Sequence, residues 1–250
     1  MRESTRPRQI GIVFALQREA RGLEKVLAES HTLAYKVKGQ FSWSVGHANV
    51  MITVSGVGRE QCARATENLL EAGAQWIICA GYAAALDPEA RVGDVCVANR
   101  VLLNNRTSAP PLECSRELMS AVPPSQAFGF RTRWCEIATG DFVVCTPQEK
   151  TEAYRATGAA VLDMESYAAA EVCARRGVPF AAVRSISDTA DQELPAAIRR
   201  LSELDSSFKQ AFFSLARPAL WPSLARLSAN AKVAAMNLGD VLGLMLLRLV

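Results

Sequence analysis

Short, largely apolar runs alternate with stretches of helical periodicity along most of this chain. The clearest runs are Gln9–Ala15, Trp76–Ala80 and Phe180–Ile186. A continuous run, unlike an alternating one, is typical of a strand that is buried on both faces. Strands that alternate with helices favour the α/β class. The pattern therefore predicts a three-layer α/β fold, in which a mixed central sheet carries helices on both faces.

Weaker patterns complete the predicted order of elements. Gly39 separates two strand-type segments, 33–38 and 41–45, which predicts a hairpin. Further strands are predicted at 49–54, 94–101 and 136–144, and helices at about 17–27, 59–71 and 164–176. The proline-rich stretch 109–124 is interpreted as a surface excursion.

The chain divides into three parts by composition. Residues 1–8 are polar and predict a disordered tail, residues 9–216 form one domain, and residues 217–250 form an amphipathic helical extension. The apolar stripe of this extension follows spacings of four and three: Leu220, Leu224, Leu227, Ala231, Ala234, Leu238, Val241 and Met245. Such a stripe either packs on the body or a second subunit, or lies in a membrane interface. The net charge of +3 after residue 216, Trp221 and the leucine-rich end favour the membrane.

Composition excludes several functional classes. The balance of 28 basic and 25 acidic residues gives no reason to expect nucleic acid as a partner. Seven cysteines without a CxxC pair are typical of reduced thiols in a cytoplasmic protein, and two histidines without ligand spacing predict no metal site. The first residues lack the apolar core of a signal peptide. We expect a cytoplasmic protein, with peripheral attachment to the inner membrane face if the extension binds lipid.

Three acids stand where strands meet helices. Glu165 follows Met164 at the start of a helical pattern, Asp188 follows Ser187 at the end of an apolar strand, and Glu19 follows the first strand. Acids delivered by a helix start and a strand end can converge on one cleft. Taken singly, each acid has another explanation: a helix cap or Asx turn, a first-turn acid, or a surface acid. Met164 alone would indicate core packing.

Two glycines, Gly56 and Gly58, follow the predicted strand 49–54. They would let the backbone approach a phosphate or a sugar, or they form an ordinary tight turn. The third glycine of a dinucleotide fingerprint is missing, so no cofactor is predicted.

Six segments together resemble the nucleoside phosphorylase and nucleosidase superfamily, especially its 5′-methylthioadenosine/S-adenosylhomocysteine nucleosidase branch. They are IGIVFALQREA, VSGVGRE, AGYAAALDPEARVGDV, ATGDFVV, LDMES and VRSISDTAD, in this order over residues 10–192. The resemblance implies a phosphorylase/hydrolase-like fold.

The resemblance also implies roles for individual residues. Asp188 would protonate N7 of a purine and so improve the leaving group. Glu165 would bind the ribose hydroxyls while Met164 packs on the sugar face, and Glu19 would position and deprotonate water. An acid at the leaving group with a carboxylate across the sugar follows the logic of glycoside hydrolysis. Asp188 would then have to carry or share a proton at neutral pH.

Other positions would complete the substrate site, with two departures from the family pattern. Phe142 and Val143 would line the base pocket, and Ser187 would contact the substrate. The branch usually has Gly-Ser-Ala-Gly-Gly where this chain has Gly81-Tyr82 followed by three alanines, which changes the backbone near the ribose. Cys79 stands where related hexameric phosphorylases carry a phosphate-binding arginine. Without that cation, water is the predicted nucleophile.

The resemblance therefore implies a purine nucleosidase that hydrolyses the N-glycosidic bond of a 5′-substituted adenosine and releases adenine. The tail resembles hopanoid-associated members, so a phosphorylase acting on adenosylhopane is an alternative. The first activity belongs to methionine salvage and the second to hopanoid biosynthesis. A third hypothesis is a non-catalytic nucleoside- or lipid-binding protein on the same fold. A homodimer or higher homo-oligomer is expected, with membrane contact through 217–250.

Overall fold

A ten-stranded mixed sheet forms the centre of the protein. This computed structural model describes residues 9–30, 33–37, 40–104, 109–195, 198–199 and 221–250. The predicted tail at residues 1–8 lies outside them. The strands are β1 (Gln9–Phe14), β2 (Leu33–Val37), β3 (Gln40–Val45), β4 (Ala48–Val54), β5 (Trp76–Ala85), β6 (Val95–Leu103), β7 (Leu112–Glu113), β8 (Thr132–Thr139), β9 (Val161–Asp163) and β10 (Phe180–Asp188). The predicted mixed α/β sheet is thereby confirmed.

Parallel pairing brings the carboxyl ends of four strands to one edge. β1 lies between β4 and β5, and β5 pairs with β10, all in parallel. β2 and β3 extend the sheet as the predicted antiparallel hairpin. On the other side β10, β6, β8, β9 and β5 form a closed ring of pairings. Loops that leave the carboxyl ends of parallel strands can therefore share one cleft.

Helices cover both faces of the sheet. They are α1 (Gln17–Glu29), α2 (Arg59–Glu71), α3 (Arg116–Ser120), α4 (Pro147–Thr157), α5 (Ser166–Arg176) and α6 (Trp221–Leu249). Alternate residues of β1 divide between two cores: Ile12 faces the core that includes α1 and α6, and Val13 faces the core of α2 and α5. Burial on both faces explains why these strands are continuously apolar.

The C-terminal helix α6 is present as predicted and packs closely on α1. A Cβ added to Gly22 would lie 1.9 Å from the Ala235 carbonyl oxygen, and one added to Gly239 would lie 2.3 Å from the Gly22 carbonyl carbon. The two backbones therefore touch, which only glycine permits. Five stripe residues are buried on the body: Ala231, Ala234, Leu238, Val241 and Met245. Leu220 and the Leu224 side chain lie outside the described part. The described part of the stripe therefore packs against the rest of the protein.

The opposite face of α6 remains open. Val233, Met236, Leu244 and Leu247 are exposed large apolar residues on this outer face. Within the described ranges, no helix combines the length and apolarity that crossing a bilayer requires.

Two segments differ from the sequence prediction. The stretch 109–124 is not a surface excursion, because it supplies β7 and α3 and buries Leu118 completely. The strand predicted at 136–144 ends at Thr139, and Phe142 lies exposed in a loop. Helix α4 follows, with a capping box between Thr146 and Glu149 and a proline at its start.

Candidate active site

A buried arginine, Arg184, lies at the middle of the site. It belongs to β10, pairs in register with Gly81 of β5, and is fully buried. Its Nε lies 2.6 Å from Asp163 Oδ2, and its Nη2 lies 3.0 Å from Ser166 Oγ and 3.1 Å from Cys79 Sγ. Among the described residues, Nη1 has no hydrogen-bond partner. A buried cation with one unused donor is a ready contact for a bound oxygen.

Gly81 leaves room for two charged side chains to approach the same point. A Cβ at this position would lie 2.5 Å from Arg184 Nη1 and 3.0 Å from Glu19 Cδ. Any larger residue would displace one of them. Glu19 and Arg184 therefore both approach the point that a side chain at position 81, a predicted substrate-site residue, would occupy.

Glu19 lies in the first turn of α1 and is only 4 % exposed. Its Oε2 accepts hydrogen bonds from the backbone N–H groups of Ala15 (3.0 Å) and Leu16 (2.9 Å). Its Oε1 accepts one from the N–H of Tyr82 at 3.0 Å. The residue is therefore not a surface acid. Three fixed donors hold the carboxylate in one orientation.

Glu165 is the N-cap residue of α5, but its side chain makes no capping bond. Its Oε1 accepts a hydrogen bond from the N–H of Gly58 at 2.9 Å, and its Oε2 lies 3.8 Å from Arg184 Nη2. Gly58 has a φ of 102°, so the turn before α2 directs its N–H at this carboxylate. Asp163 caps α5 instead, accepting from the N–H groups of Glu165 and Ser166.

Burial sets the protonation of this cluster. It raises the pKa of Glu19, which Arg184 and the backbone donors partly offset. It raises the pKa of Glu165 to about 7, with Arg184 opposing the rise and the charges of Asp163 and Glu19 adding to it. Burial lowers the pKa of Arg184, but the charges of Asp163 and the other nearby acids raise it by more, so the net pKa lies above its ordinary value. Arg184 therefore stays charged while Glu165 exchanges its proton near neutral pH.

Asp188 is held at both carboxylate oxygens. Lys150 Nζ lies 2.6 Å from Oδ2, and the Ser187 hydroxyl donates to Oδ1 at 2.7 Å. Asp188 is 3 % exposed. The residues that follow Asp188 as far as residue 195 form no helix, so it is not a helix cap.

The residues that the resemblance assigns to the base side are only partly buried. Phe142 is 50 % exposed, and the Arg199 guanidinium lies over its ring at 5.0 Å. Arg199 also donates to the carbonyl oxygen of Val143 at 3.1 Å. Met164 is half-buried beside Glu165. The structure therefore leaves an aromatic ring accessible on the side of the site that the sequence assigns to the base.

Tyr82 turns toward α1. Its hydroxyl donates to the carbonyl oxygen of Arg18 at 3.3 Å, while its backbone N–H donates to the Glu19 carboxylate. Burial is the main cause of its raised pKa, so it stays a neutral phenol. The departure from the family turn thus fixes the start of α1 next to the carboxylate of Glu19.

Three charged residues of the site were missed from the sequence. Arg184 gave a signal, because it is a lone charge inside an apolar strand. Asp163 lies in the recognised LDMES segment. Lys150 gave none, because it belongs to a polar stretch that was not predicted as a helix. Within the described residues, no group of His, Cys, Asp or Glu side chains is placed to hold a metal ion.

Comparison with known proteins assigns the family. The sequence profile of the Phosphorylase superfamily matches residues 9–217. The chain belongs to this superfamily. The resemblance drawn from the six segments is thereby confirmed, and α6 lies beyond the matched range.

Relatives and solved structures agree with this assignment. The chain is 28% identical over 219 residues to a 5′-methylthioadenosine/S-adenosylhomocysteine nucleosidase of Tolumonas auensis, covering 78% of this chain and 93% of that protein. It is similar in fold to the nucleosidase of that name from Colwellia psychrerythraea 34H in complex with adenine, with a TM-score of 0.76, 19% identity and coverage of 97% and 96%. The futalosine hydrolase of Helicobacter pylori gives a TM-score of 0.71 at 19% identity, with coverage of 95% and 97%. These structures share the fold, including the region of α6.

Proposed function

We propose that this protein is a purine nucleosidase that hydrolyses the N-glycosidic bond of a 5′-substituted adenosine and releases adenine. The observation that carries the proposal is the buried group of Glu19, Glu165 and Arg184, placed on the same strand edge as Asp188. The relatives named as nucleosidases support the same class of reaction.

Each residue has a chemical task in this proposal. Asp188 donates a proton to N7, so that the bond from C1′ to N9 breaks and its electron pair enters the purine. Glu165 binds the ribose hydroxyls and offsets the positive charge that develops on the sugar. Glu19 takes a proton from water as the water oxygen bonds to C1′. The raised pKa of Glu19 makes it a stronger base than an ordinary carboxylate.

Arg184 orients the nucleophile in this scheme. Its free Nη1 lies against Gly81, as does the carboxyl carbon of Glu19. A water between them can donate to Glu19 and accept from Arg184. The hydrogen bonds of Glu19 to three backbone N–H groups keep it in place while it accepts the proton.

The charges around Arg184 favour water over phosphate. One guanidinium faces three acids, Glu19, Asp163 and Glu165. Protonation of Glu165 still leaves two negative charges against one positive charge. An incoming phosphate dianion would therefore be repelled, whereas neutral water would not. Cys79 Sγ accepts from Arg184 and supplies no further cation.

Adenine release is the decisive measurement. We would assay 5′-methylthioadenosine, S-adenosylhomocysteine and an adenosyl-lipid such as adenosylhopane, each with and without phosphate. Release from at least one substrate, at equal rates in both buffers, is expected. Strict phosphate dependence would make the protein a phosphorylase. Calorimetric binding of these nucleosides without turnover would make it a non-catalytic binding protein.

Asp188→Asn tests the proton donor. The side chains are nearly isosteric, and loss of a general acid lowers kcat by about 10²- to 10⁴-fold. Unchanged thermal unfolding would show that the fold persists. Turnover within tenfold of the wild type would refute the role of Asp188.

We further propose that the outer face of α6 forms a homo-oligomer contact. Four exposed apolar residues, Val233, Met236, Leu244 and Leu247, support this proposal. Sedimentation of the full chain and of the Leu244→Asp/Leu247→Asp variant should show an oligomer and a monomer, respectively. Vesicle flotation of the same two proteins tests whether this face binds a membrane instead. Point variants are used rather than a truncation, because α6 is part of the core and its removal would unfold the protein.

A further inference from the structure

Lys150 is fully buried, and its ammonium group has an acceptor for each of its three N–H bonds. Its Nζ lies 2.6 Å from Asp188 Oδ2, 2.6 Å from the carbonyl oxygen of Thr189 and 2.9 Å from that of Gln192. A neutral amine has two N–H bonds and an ammonium group has three. Three acceptors therefore match the ammonium form. Lys150 is a buried cation whose only charged partner among these acceptors is Asp188.

The position of Lys150 on α4 is unusual for its sequence. The helix is largely polar, and Gln148, Glu152 and Arg155 are exposed on its surface. Lysine is almost never fully buried unless it is paired. An apolar residue of similar length would fill the same space without the cost of desolvating a charge. The buried charge therefore points to a task at the carboxylate that it contacts.

Resting on the proposed function, we propose that Lys150 is the positioning residue of the leaving-group acid. It fixes Oδ2 of Asp188 and ties down the loop from Thr189 to Gln192. Because Lys150 occupies Oδ2, a proton that reaches the leaving group has to pass through Oδ1. Ser187 shares this second oxygen at 2.7 Å, and its hydroxyl can accept as well as donate.

The chemical step balances with these groups. The Oδ1–H bond of Asp188 breaks, the N7–H bond forms, and the C1′–N9 bond breaks with its electron pair entering the purine. Asp188 becomes a carboxylate that already bonds to the Lys150 ammonium and the Ser187 hydroxyl. Solvent returns a proton to Oδ1 after adenine departs. Lys150 keeps its proton throughout, and its charge offsets the new negative charge when it forms.

A pair of substrates with different leaving groups isolates this role. Adenine needs a proton to depart, whereas p-nitrophenolate does not. We would compare 5′-methylthioadenosine with the p-nitrophenyl glycoside of 5-methylthioribose, using Lys150→Met. The variant should lower kcat/KM for the nucleoside by about 10²-fold, the lower end for general acid catalysis. Hydrolysis of the nitrophenyl glycoside should change by less than about 3-fold, since it requires no acid.

Non-additivity gives a second readout. Asp188→Asn should show the same preference for the nitrophenyl substrate. The double variant Lys150→Met/Asp188→Asn should be no slower on the nucleoside than Asp188→Asn alone, because the two residues act as one unit. Lys25→Met is the matched control, since Lys25 lies exposed on α1. It should leave both substrates unaffected.

Chemical rescue of a smaller variant gives a third readout, in which charge is separated from side-chain volume. Lys150→Ala lacks a fragment equivalent to propylammonium. Added propylammonium should restore nucleoside hydrolysis, and 1-propanol, which fills the same space without charge, should not.

Two results would overturn the proposal: equal losses on both substrates in a folded variant, or nucleoside hydrolysis that is unchanged. If the wild type cleaves no 5′-substituted adenosine, the proposed function fails instead, and this outcome is distinct.

Discussion

Around Arg184, one guanidinium faces three carboxylates and Nη1 has no hydrogen-bond partner among the described residues, whereas around Asp188 each carboxylate oxygen has its own donor. The two residues lie on the same strand, four positions apart, which is about 13 Å along an extended chain. Near Arg184, acids outnumber the single guanidinium, whereas near Asp188 one ammonium and one hydroxyl each bond to a separate oxygen. In the reaction proposed above, the first region would bind the sugar and water, and the second would deliver the proton.

The largest effect is expected at Glu19, in the region around Arg184. Glu19→Gln keeps the size of the side chain but cannot accept the proton of water. We expect kcat to fall by about 10²- to 10⁴-fold, the usual contribution of a general base. Steady-state adenine release measures it. Glu24→Gln, on the same helix, is the control, and a Glu19→Gln variant with more than a tenth of wild-type kcat would contradict the assignment.

Next in size is the loss of the central cation. Arg184→Met leaves Asp163 and its neighbours buried without their counter-charge, and breaking a buried pair costs about 3–5 kcal/mol. The loss should be smaller at pH 5 than at pH 8, because the freed acids can then protonate. Urea unfolding at both pH values measures it. Arg175→Met, at an exposed ion pair, should cost less than about 1 kcal/mol.

Glu165 should make the protein less stable as pH rises. Its pKa is about 7 in the folded state against 4.5 for an ordinary glutamate carboxyl, so its contribution to stability is fully present below pH 4.5 and is lost as pH rises through 7. The difference corresponds to about 3 kcal/mol. Glu165→Gln should therefore raise Tm at pH 8 and have little effect at pH 5, while lowering activity. Glu171→Gln, exposed on the same helix, should show no such pH dependence. A lower Tm at pH 8 for Glu165→Gln would refute the argument.

A smaller change is expected from a single methyl group at Gly81. The added Cβ would overlap Arg184 Nη1, and overpacking typically costs about 1–3 kcal/mol. Gly81→Ala should lose activity out of proportion to this cost, because it separates Arg184 from Glu19. Gly129→Ala, where a Cβ meets nothing within 4 Å, is the matched control. Equal activity in the two variants would show that this contact is unimportant.

The smallest effect is expected from Tyr82. Tyr82→Phe removes one hydrogen bond to the Arg18 carbonyl but keeps the backbone N–H that binds Glu19. The free energy of unfolding, determined by thermal unfolding, should fall by about 0.5–1.5 kcal/mol. Activity should stay within a few-fold of the wild type, with Tyr154→Phe as an exposed control. A large loss of activity would give the phenol a direct role in substrate binding.

The sequence predicts most strands of the sheet because burial on both faces leaves short apolar runs that are bounded by turn residues. β5 and β10 both begin with an apolar run, and both lie where expected. The end of β8 was misplaced because Phe142 and Val143 continue its apolar pattern, although both lie in the loop before α4 and Phe142 is exposed. An apolar residue in an exposed loop looks, in the sequence alone, like an apolar residue of the core.

The candidate site was only partly accessible to sequence reasoning. Glu19, Glu165 and Asp188 stand at element boundaries, where position along the chain indicates a shared edge. The contact of Lys150 with Asp188 could not be found in this way, because it depends on which side of α4 faces the sheet. A single lysine among exposed polar residues carries no such information. The same limit applies to the surroundings of Arg184 Nη1, which are a property of three-dimensional packing.

The glycine contact between α1 and α6 has a consequence for the timing of synthesis. Glu19 lies on α1, and α1 rests on Ala235 and Gly239, which the ribosome adds more than 200 residues later. Strands β1 to β10 can emerge and pair before then, and α1 can pack on the sheet through Leu23 and Leu27. Its outer contact with α6 forms last, so the packing around the helix that carries Glu19 is completed only when α6 has left the ribosome.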